Sequence, residues 1–101
     1  MAEVVVFAPD LMDRSKITAA VPGASVVRSV DAVTSSPGVI IVVDLSRPGV
    51  VDALGGWVAA GARVIGYASH VDRDLIDAGR GAGAEVMARS AFFGRVAELL
   101  S

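Results

Sequence analysis

Short apolar runs alternate along the chain with segments whose apolar residues recur at helical spacing. The clearest run, Val39 to Val43, consists of five β-branched residues and ends at Asp44. Continuous apolar runs of this length are typical of strands buried on both faces of a parallel sheet. Ligands of open α/β sheets bind at the carboxyl ends of the strands, so Asp44 is predicted to stand at the functional edge.

The same pattern predicts five strands and the helices between them. The strands are expected at 4–8, 25–30, 39–43, 63–68 and 85–88, and the helices at 11–20, 50–60, 72–82 and 91–100. Residues 31–36 have room only for a short helix or a turn before Pro37-Gly38. Ser90 is predicted to cap the last helix.

Strands that alternate with helices through short connections imply a parallel sheet with right-handed crossovers. The predicted fold is therefore a single α/β domain over residues 1–101, doubly wound and flavodoxin-like, with five parallel strands in the order 2-1-3-4-5. No linker, repeat or low-complexity segment interrupts it.

Composition narrows the functional classes. The chain has no Cys and one His, which excludes disulfides, thiol catalysis and Cys-type zinc sites. A formal net charge of -2 without a basic patch argues against nucleic acid as a partner. No apolar stretch approaches the roughly 20 residues that span a bilayer, and no signal peptide is recognisable, so a cytoplasmic protein without a membrane partner is expected.

Three segments resemble the receiver domains of response regulators. VDLSRPG at 43–49 is similar to the segment that carries the phosphoacceptor aspartate, and GAGA at 81–84 to the turn before the fifth strand. Residues 63–68, followed by Ser69-His70, are similar to the fourth strand and its hydroxyl-bearing end. The resemblance covers nearly the whole chain in topology, and it implies that Asp44 is the phosphoacceptor.

The chain also departs from the receiver pattern. A receiver holds Mg²⁺ with two adjacent acidic residues after its first strand, where this chain has Ala8-Pro9 and then Asp10. The resemblance leaves Asp10 and Asp44 as candidate Mg²⁺ ligands and implies no other cofactor. Ser69 and Arg89 stand near the family's hydroxyl and lysine positions, and they become candidate switch or anion-contact residues.

Each of these residues also has a purely structural interpretation. Asp44 can accept backbone hydrogen bonds in the turn after its strand, and Asp10 can cap the following helix. Arg89 either senses a charge on Asp44 or forms a static ion pair with it, and the static pair is favoured. Asp13 is expected to be solvated near the positive end of its helix.

The sequence thus favours a stand-alone, degenerate receiver that acts in signalling as a non-catalytic protein-interaction module. The expected docking face consists of the fourth helix, the fifth strand and the fifth helix, with Tyr67 and Phe93 as contact residues and another protein or a second copy as the partner. One alternative is a genuine phosphorelay receiver in which Asp44 is phosphorylated in a Mg²⁺-dependent step. A less favoured alternative is a small hydrolase that uses Ser69, His70 and Asp44.

Overall fold

The protein is described by a computed structural model that covers residues 3–100. Its strands are β1 (Glu3–Phe7), β2 (Ser25–Val26), β3 (Val39–Asp44), β4 (Arg63–Ala68) and β5 (Glu85–Ala88). Its helices are α1 (Leu11–Ala20), α2 (Val50–Ala59), α3 (Arg73–Gly81), α4 (Arg89–Gly94) and α5 (Val96–Leu100). A single 3-10 turn, Val30–Ala32, lies between β2 and β3.

The five strands form one sheet in the order β2-β1-β3-β4-β5, and every neighbouring pair is parallel. This is the predicted doubly wound, flavodoxin-like topology. In the register of the sheet Phe7 pairs with Val43, Asp44 with Tyr67, and Ala68 with Ala88. The carboxyl ends of the central strands therefore reach the same edge, which is the edge that carries the candidate site.

Helices cover both faces of the sheet. Leu54 and Trp57 of α2 belong to the core on one face, together with half-buried side chains of α3. Ile17 of α1, Phe92 of α4 and Leu100 of α5 belong to the core on the other face. All six residues of β3 are buried, because this central strand contacts both layers. Burial on both faces accounts for its unbroken apolar sequence.

The structure differs from the predicted elements at both ends of the sheet. Strand β2 pairs over only Ser25–Val26 rather than over 25–30, since it lies at the edge and has a single neighbour. The predicted last helix is divided into α4 and α5, with Arg95 in a non-helical conformation after Gly94. Ser90 lies inside α4, whose N-cap residue is Ala88, so the prediction of a Ser90 cap was wrong.

Among residues 3–100, no helix combines the length and the apolar character that crossing a membrane requires.

Candidate functional site

The carboxyl edge of the sheet gathers all the polar residues that the sequence singled out. Asp10 follows β1, Asp44 ends β3, Ser69 follows β4 and Arg89 follows β5. Because all the strands run in the same direction, the loops after them lie at one edge. The side chains at this edge nevertheless form two separate hydrogen-bonded groups, one around Asp44 and one around Asp13.

Asp44 is buried and bonded to its own turn. Its Oδ1 accepts hydrogen bonds from the Ser46 backbone N–H at 3.0 Å and from the Ser46 hydroxyl at 2.7 Å. Its Oδ2 lies 3.5 Å from Nε of Arg47, a buried nitrogen without a hydrogen-bond partner. The Asp44 side chain is only 7% exposed. One carboxylate oxygen is thus fully engaged, and the other has only a long ionic contact.

Asp13 is the centre of the second group, although it stands in the first turn of a surface helix. The residue is 2% exposed. Arg89 donates to Oδ1 at 2.5 Å and to Oδ2 at 2.8 Å, and the Tyr67 hydroxyl donates to Oδ2 at 3.1 Å. A guanidinium that grips both oxygens of a carboxylate fixes the orientation of both side chains. This contact connects α1, β4 and the start of α4.

Aromatic rings hold Arg89 in place. Its guanidinium carbon lies 5.2 Å from the ring centroid of Tyr67 and 5.4 Å from that of Phe93. Tyr67 stacks on Phe92 with centroids 5.0 Å apart, and Phe93 packs edge-on against both rings. Cation–π contacts of this kind add to the attraction of the ion pair. Arg89 is therefore held by the ion pair with Asp13 and by contacts with two aromatic rings, and the charge of Asp44 also contributes to its raised pKa.

The charges of this group are stable over the ordinary pH range. The hydrogen bonds from Arg89 lower the pKa of the Asp13 carboxyl, and they outweigh its desolvation. The same hydrogen bonding raises the pKa of Arg89. Burial, followed by the nearby charge of Asp13, raises the pKa of the Tyr67 hydroxyl. Tyr67 consequently stays a neutral donor to an ionised Asp13.

Three sequence predictions are corrected by this group. The favoured static ion pair of Arg89 with Asp44 is wrong, because the guanidinium bonds to Asp13. Asp13 is not solvated, because its carboxylate is buried and bonded to Arg89. Tyr67 is fully buried and is not part of an exposed docking surface. Phe93 is half-buried, and its role in docking stays a prediction.

Each of the two candidate Mg²⁺ ligands, Asp10 and Asp44, has one carboxylate oxygen hydrogen-bonded within the fold. Oδ1 of Asp10 accepts the Asp13 backbone N–H at 3.0 Å, so Asp10 is the N-cap of α1. Mg²⁺ requires oxygen ligands in near-octahedral geometry. Within residues 3–100, no group of three or more His, Cys, Asp or Glu side chains is placed to hold a metal ion. Mg²⁺ sites often use only one or two carboxylates together with waters and phosphate, so the candidate ligands Asp10 and Asp44 stay a prediction.

Ser69 and His70 are exposed in the turn after β4, where the Ser69 carbonyl accepts the Asp72 N–H at 2.9 Å. A serine hydrolase requires a hydrogen bond between its nucleophile and its base. In the described part of the chain, no hydrogen bond joins the side chains of Ser69 and His70. The hydrolase alternative stays a prediction without support from this geometry.

Exposed apolar side chains at the same edge were not anticipated from the sequence. Leu11 is 63% exposed, Met12 66% and Val71 73%. Leu11 and Met12 open α1 just after β1, and Val71 lies in the loop after β4. Their exposure could have been suspected from the sequence, because Leu11 and Met12 come directly after the N-cap residue Asp10. They lie off the helix face that carries the buried Ile17.

Comparison with known proteins gives no further guide to the site. No protein-family model matches the chain, and no curated protein or solved structure matches it either.

Proposed function

We propose that this protein is a non-catalytic signalling module with a receiver-like fold, which pairs with a second copy of itself and docks a protein partner. The proposal rests on one observation, the bidentate pair between Arg89 and Asp13. In the receiver resemblance, the cation after the fifth strand serves the phosphoacceptor carboxylate. Here that cation is committed to a structural carboxylate on α1.

The state of Asp44 supports the same proposal. Phosphoryl transfer depends on positioned cations that neutralise the developing charge. The cation beside Asp44 is the half-buried Arg47, whose Nε lies 3.5 Å from Oδ2 of Asp44. Asp10 caps helix α1. An acceptor carboxylate must also be reached by the phosphoryl donor, and this side chain is 7% exposed. These features favour an aspartate that fixes its turn over one that accepts a phosphoryl group.

The exposed apolar residues support docking at the carboxyl edge. Among residues 3–100, three of the four exposed large hydrophobic residues are Leu11, Met12 and Val71, and all three belong to loops or helix starts at this edge. Leu11 and Met12 are adjacent in the chain, and exposed apolar patches mark sites of protein–protein interaction. We assign the contact between two copies of the chain to this edge.

Amide NMR with Mg²⁺, and then with Mg²⁺ plus beryllofluoride as a phosphoryl mimic, tests the closed state of the site. We expect the resonances of Asp10, Asp44, Ser69 and Arg89 to stay unchanged, because their side chains are engaged within the fold or lie outside any ligand set. Shifts centred on Asp44 would contradict the proposal and support the phosphoacceptor alternative.

Sedimentation over a dilution series tests the pairing. We expect a concentration-dependent dimer that weakens when Leu11 and Met12 are both changed to Ser, since this removes apolar surface from the contact. Val26→Ser is the matched control, because Val26 is also exposed, at 38%, but lies on edge strand β2. Equal dimerisation of the double variant and the unchanged protein would exclude the carboxyl edge as the contact.

One observation keeps the phosphoacceptor alternative open to this test. Within residues 3–100, Oδ2 of Asp44 accepts no hydrogen bond, and Nε of Arg47 lies 3.5 Å from it. Oδ2 is therefore the oxygen that would be phosphorylated in that alternative. Asp44→Asn would then abolish any response to beryllofluoride, whereas Asp10→Asn, which retains a capping side chain, would separate metal binding from helix capping.

A further inference from the structure

A cleft of about 290 Å³ opens between α3 and the end of β5, and its lining includes none of Asp13, Asp44 and Arg89. It is lined by His70, Arg73, Ile76, Asp77, Arg80 and Ala88. Ile76 and Ala88 are half-buried and form its apolar wall. The other four lining residues are exposed. The cleft thus combines a small apolar surface with charged groups at its mouth.

The cationic groups of the cleft are not neutralised by the fold. Arg73 and Arg80 are seven positions apart on α3, which is two helical turns, so both lie on the same side of the helix. Asp77 stands between them in sequence, yet within the described residues neither arginine forms an ion pair with it. Two guanidinium groups therefore stand beside one unpaired carboxylate and the neighbouring His70.

Arg80 is held in position by a single contact. One of its terminal nitrogens donates to the carbonyl oxygen of Val86, on the outer edge strand β5, at 3.2 Å. A guanidinium has five N–H donors in a fixed planar arrangement, so this bond leaves the others available. The side chain of Arg73 makes no hydrogen bond or ion pair within the described residues. The cleft therefore presents one guanidinium that is hydrogen-bonded to the fold and one that has no such bond to the described residues.

We propose that this cleft binds an acidic side chain of a partner protein, with its carboxylate between Arg73 and Arg80 and its methylene groups against Ile76 and Ala88. This inference rests on the proposed function, since it names the chemistry of the partner that the module docks. Arginine forks match the two oxygens of a carboxylate, which explains why two of them line one small cleft.

The openness of the cleft selects a protein side chain over a free small molecule. Small-molecule sites bury most of the ligand surface. Four of the six lining residues, His70, Arg73, Asp77 and Arg80, are exposed, so a free ligand would stay largely in water. A side chain on a partner is covered from the outside by its own protein. The location beside edge strand β5 leaves room for that protein.

The test is an amide NMR titration of the full chain with a capped tetraglutamate peptide, and in parallel with a capped tetraglutamine peptide. We expect shifts at residues 70–80 and 88 with the glutamate peptide, and none with the glutamine peptide. Arg73→Gln and Arg80→Gln should each weaken binding by about fivefold, as expected for exposed charged pairs. Arg73 has no structural partner, so its variant keeps the fold even if the Arg80 variant is less stable.

Arg28→Gln is the matched control, because Arg28 is an exposed arginine outside the cleft, in the segment after β2. Equal weakening by the Arg28 and Arg73 variants would reduce the effect to net charge and overturn the proposal. Inorganic phosphate that produced the same shifts at the same affinity would mean that the cleft takes any free anion, which also overturns it.

The two proposals fail in different ways. A glutamate peptide that does not bind, together with an unchanged spectrum in beryllofluoride and a dimer through Leu11 and Met12, removes the cleft assignment alone. A response of Asp44 to beryllofluoride removes the non-catalytic function, whatever the peptide does.

Discussion

The burial of Tyr67 explains why Asp13 is buried beside it. Both faces of β4 are covered, so all of its residues after Arg63 are buried, including Tyr67. A buried tyrosine hydroxyl needs a hydrogen-bond partner. Asp13 supplies it, and Arg89 balances the charge that this burial leaves on the carboxylate. The polar group therefore follows from the need to place a tyrosine at the end of a central strand.

Asp13→Asn tests the strength of this group. The substitution keeps the size of the side chain but removes the charge, so Arg89 loses its ion-pair partner. We expect the free energy of unfolding to fall by about 2 kcal/mol, and by about 1 kcal/mol for Tyr67→Phe, which removes only one neutral donor. Urea unfolding followed by the fluorescence of Trp57 measures both values.

Asp77→Asn serves as the control for these variants, because Asp77 is an exposed aspartate without an ion pair within the described residues. Its effect should stay within about 0.5 kcal/mol. If Asp13→Asn were as mild as this control, the contact with Arg89 would contribute nothing to folding.

The lowered pKa of Asp13 predicts the pH dependence of stability. The folded-state pKa lies below the unfolded value of about 3.9, so the contribution of Asp13 is complete above that pH. It is lost as the pH falls through the lower, folded value. The difference in unfolding free energy between the unchanged protein and Asp13→Asn should therefore be large at neutral pH and shrink in acid.

Comparing the two proteins by urea unfolding at neutral and acidic pH isolates this effect. Glu85, whose pKa the Arg63 guanidinium lowers, is present in both proteins and cancels from the difference. A gap that stayed constant down to strongly acidic pH would argue that Asp13 is not ionised in the fold.

At the scale of elements, the sequence predicts most strands and helices to within one residue at each end. The bounds of α1, β4 and β5 agree with the predictions. Strand β2 and the last helix do not, because the length of an edge strand and the break after Gly94 depend on contacts with other elements rather than on local periodicity. A short helix that must place both Phe92 and Phe93 against Tyr67 is one such case.

Two helical glycines differ in how closely other residues pack against them. A Cβ on Gly79 of α3 would lie 2.7 Å from Cγ2 of Val86 and 3.1 Å from Cδ1 of Leu45. A Cβ on Gly55 of α2 would meet nothing within 4 Å. Gly79 thus allows α3 to approach the sheet, whereas nothing within the described fold requires Gly55.

We expect Gly79→Ala to destabilise the protein by about 1–2 kcal/mol, because the clash with Val86 exceeds the gain in helix propensity. Gly55→Ala should stabilise it by about 0.5–1 kcal/mol. Thermal unfolding of the two variants side by side provides the measurement. Stabilisation by both substitutions would show that α3 can move away from the sheet at no cost.

At the scale of the molecule, the fold could be predicted from the sequence, but the hydrogen-bond and ion-pair partners within the site could not. Alternation of strands and helices determines the sheet, and the sheet determines which loops meet. Asp44 ends β3 and Asp13 lies in the first turn of the helix after β1, so both stand at this edge and no sequence pattern could tell which of them Arg89 would bind. The choice depends on the aromatic rings that hold the guanidinium, a contact between elements far apart in sequence.

The connection between β2 and β3 is a place where the chain could be cut into two fragments. Residues 27–38 contain one 3-10 turn and no strand or helix, and Arg28 is exposed there. β1 lies inside the sheet and pairs with β3 from Glu3 to Phe7. A chain cut after Arg28 would therefore yield two fragments that are each incomplete. They should reassemble without a covalent link, because β1, which carries β2 on its other side, can pair with β3.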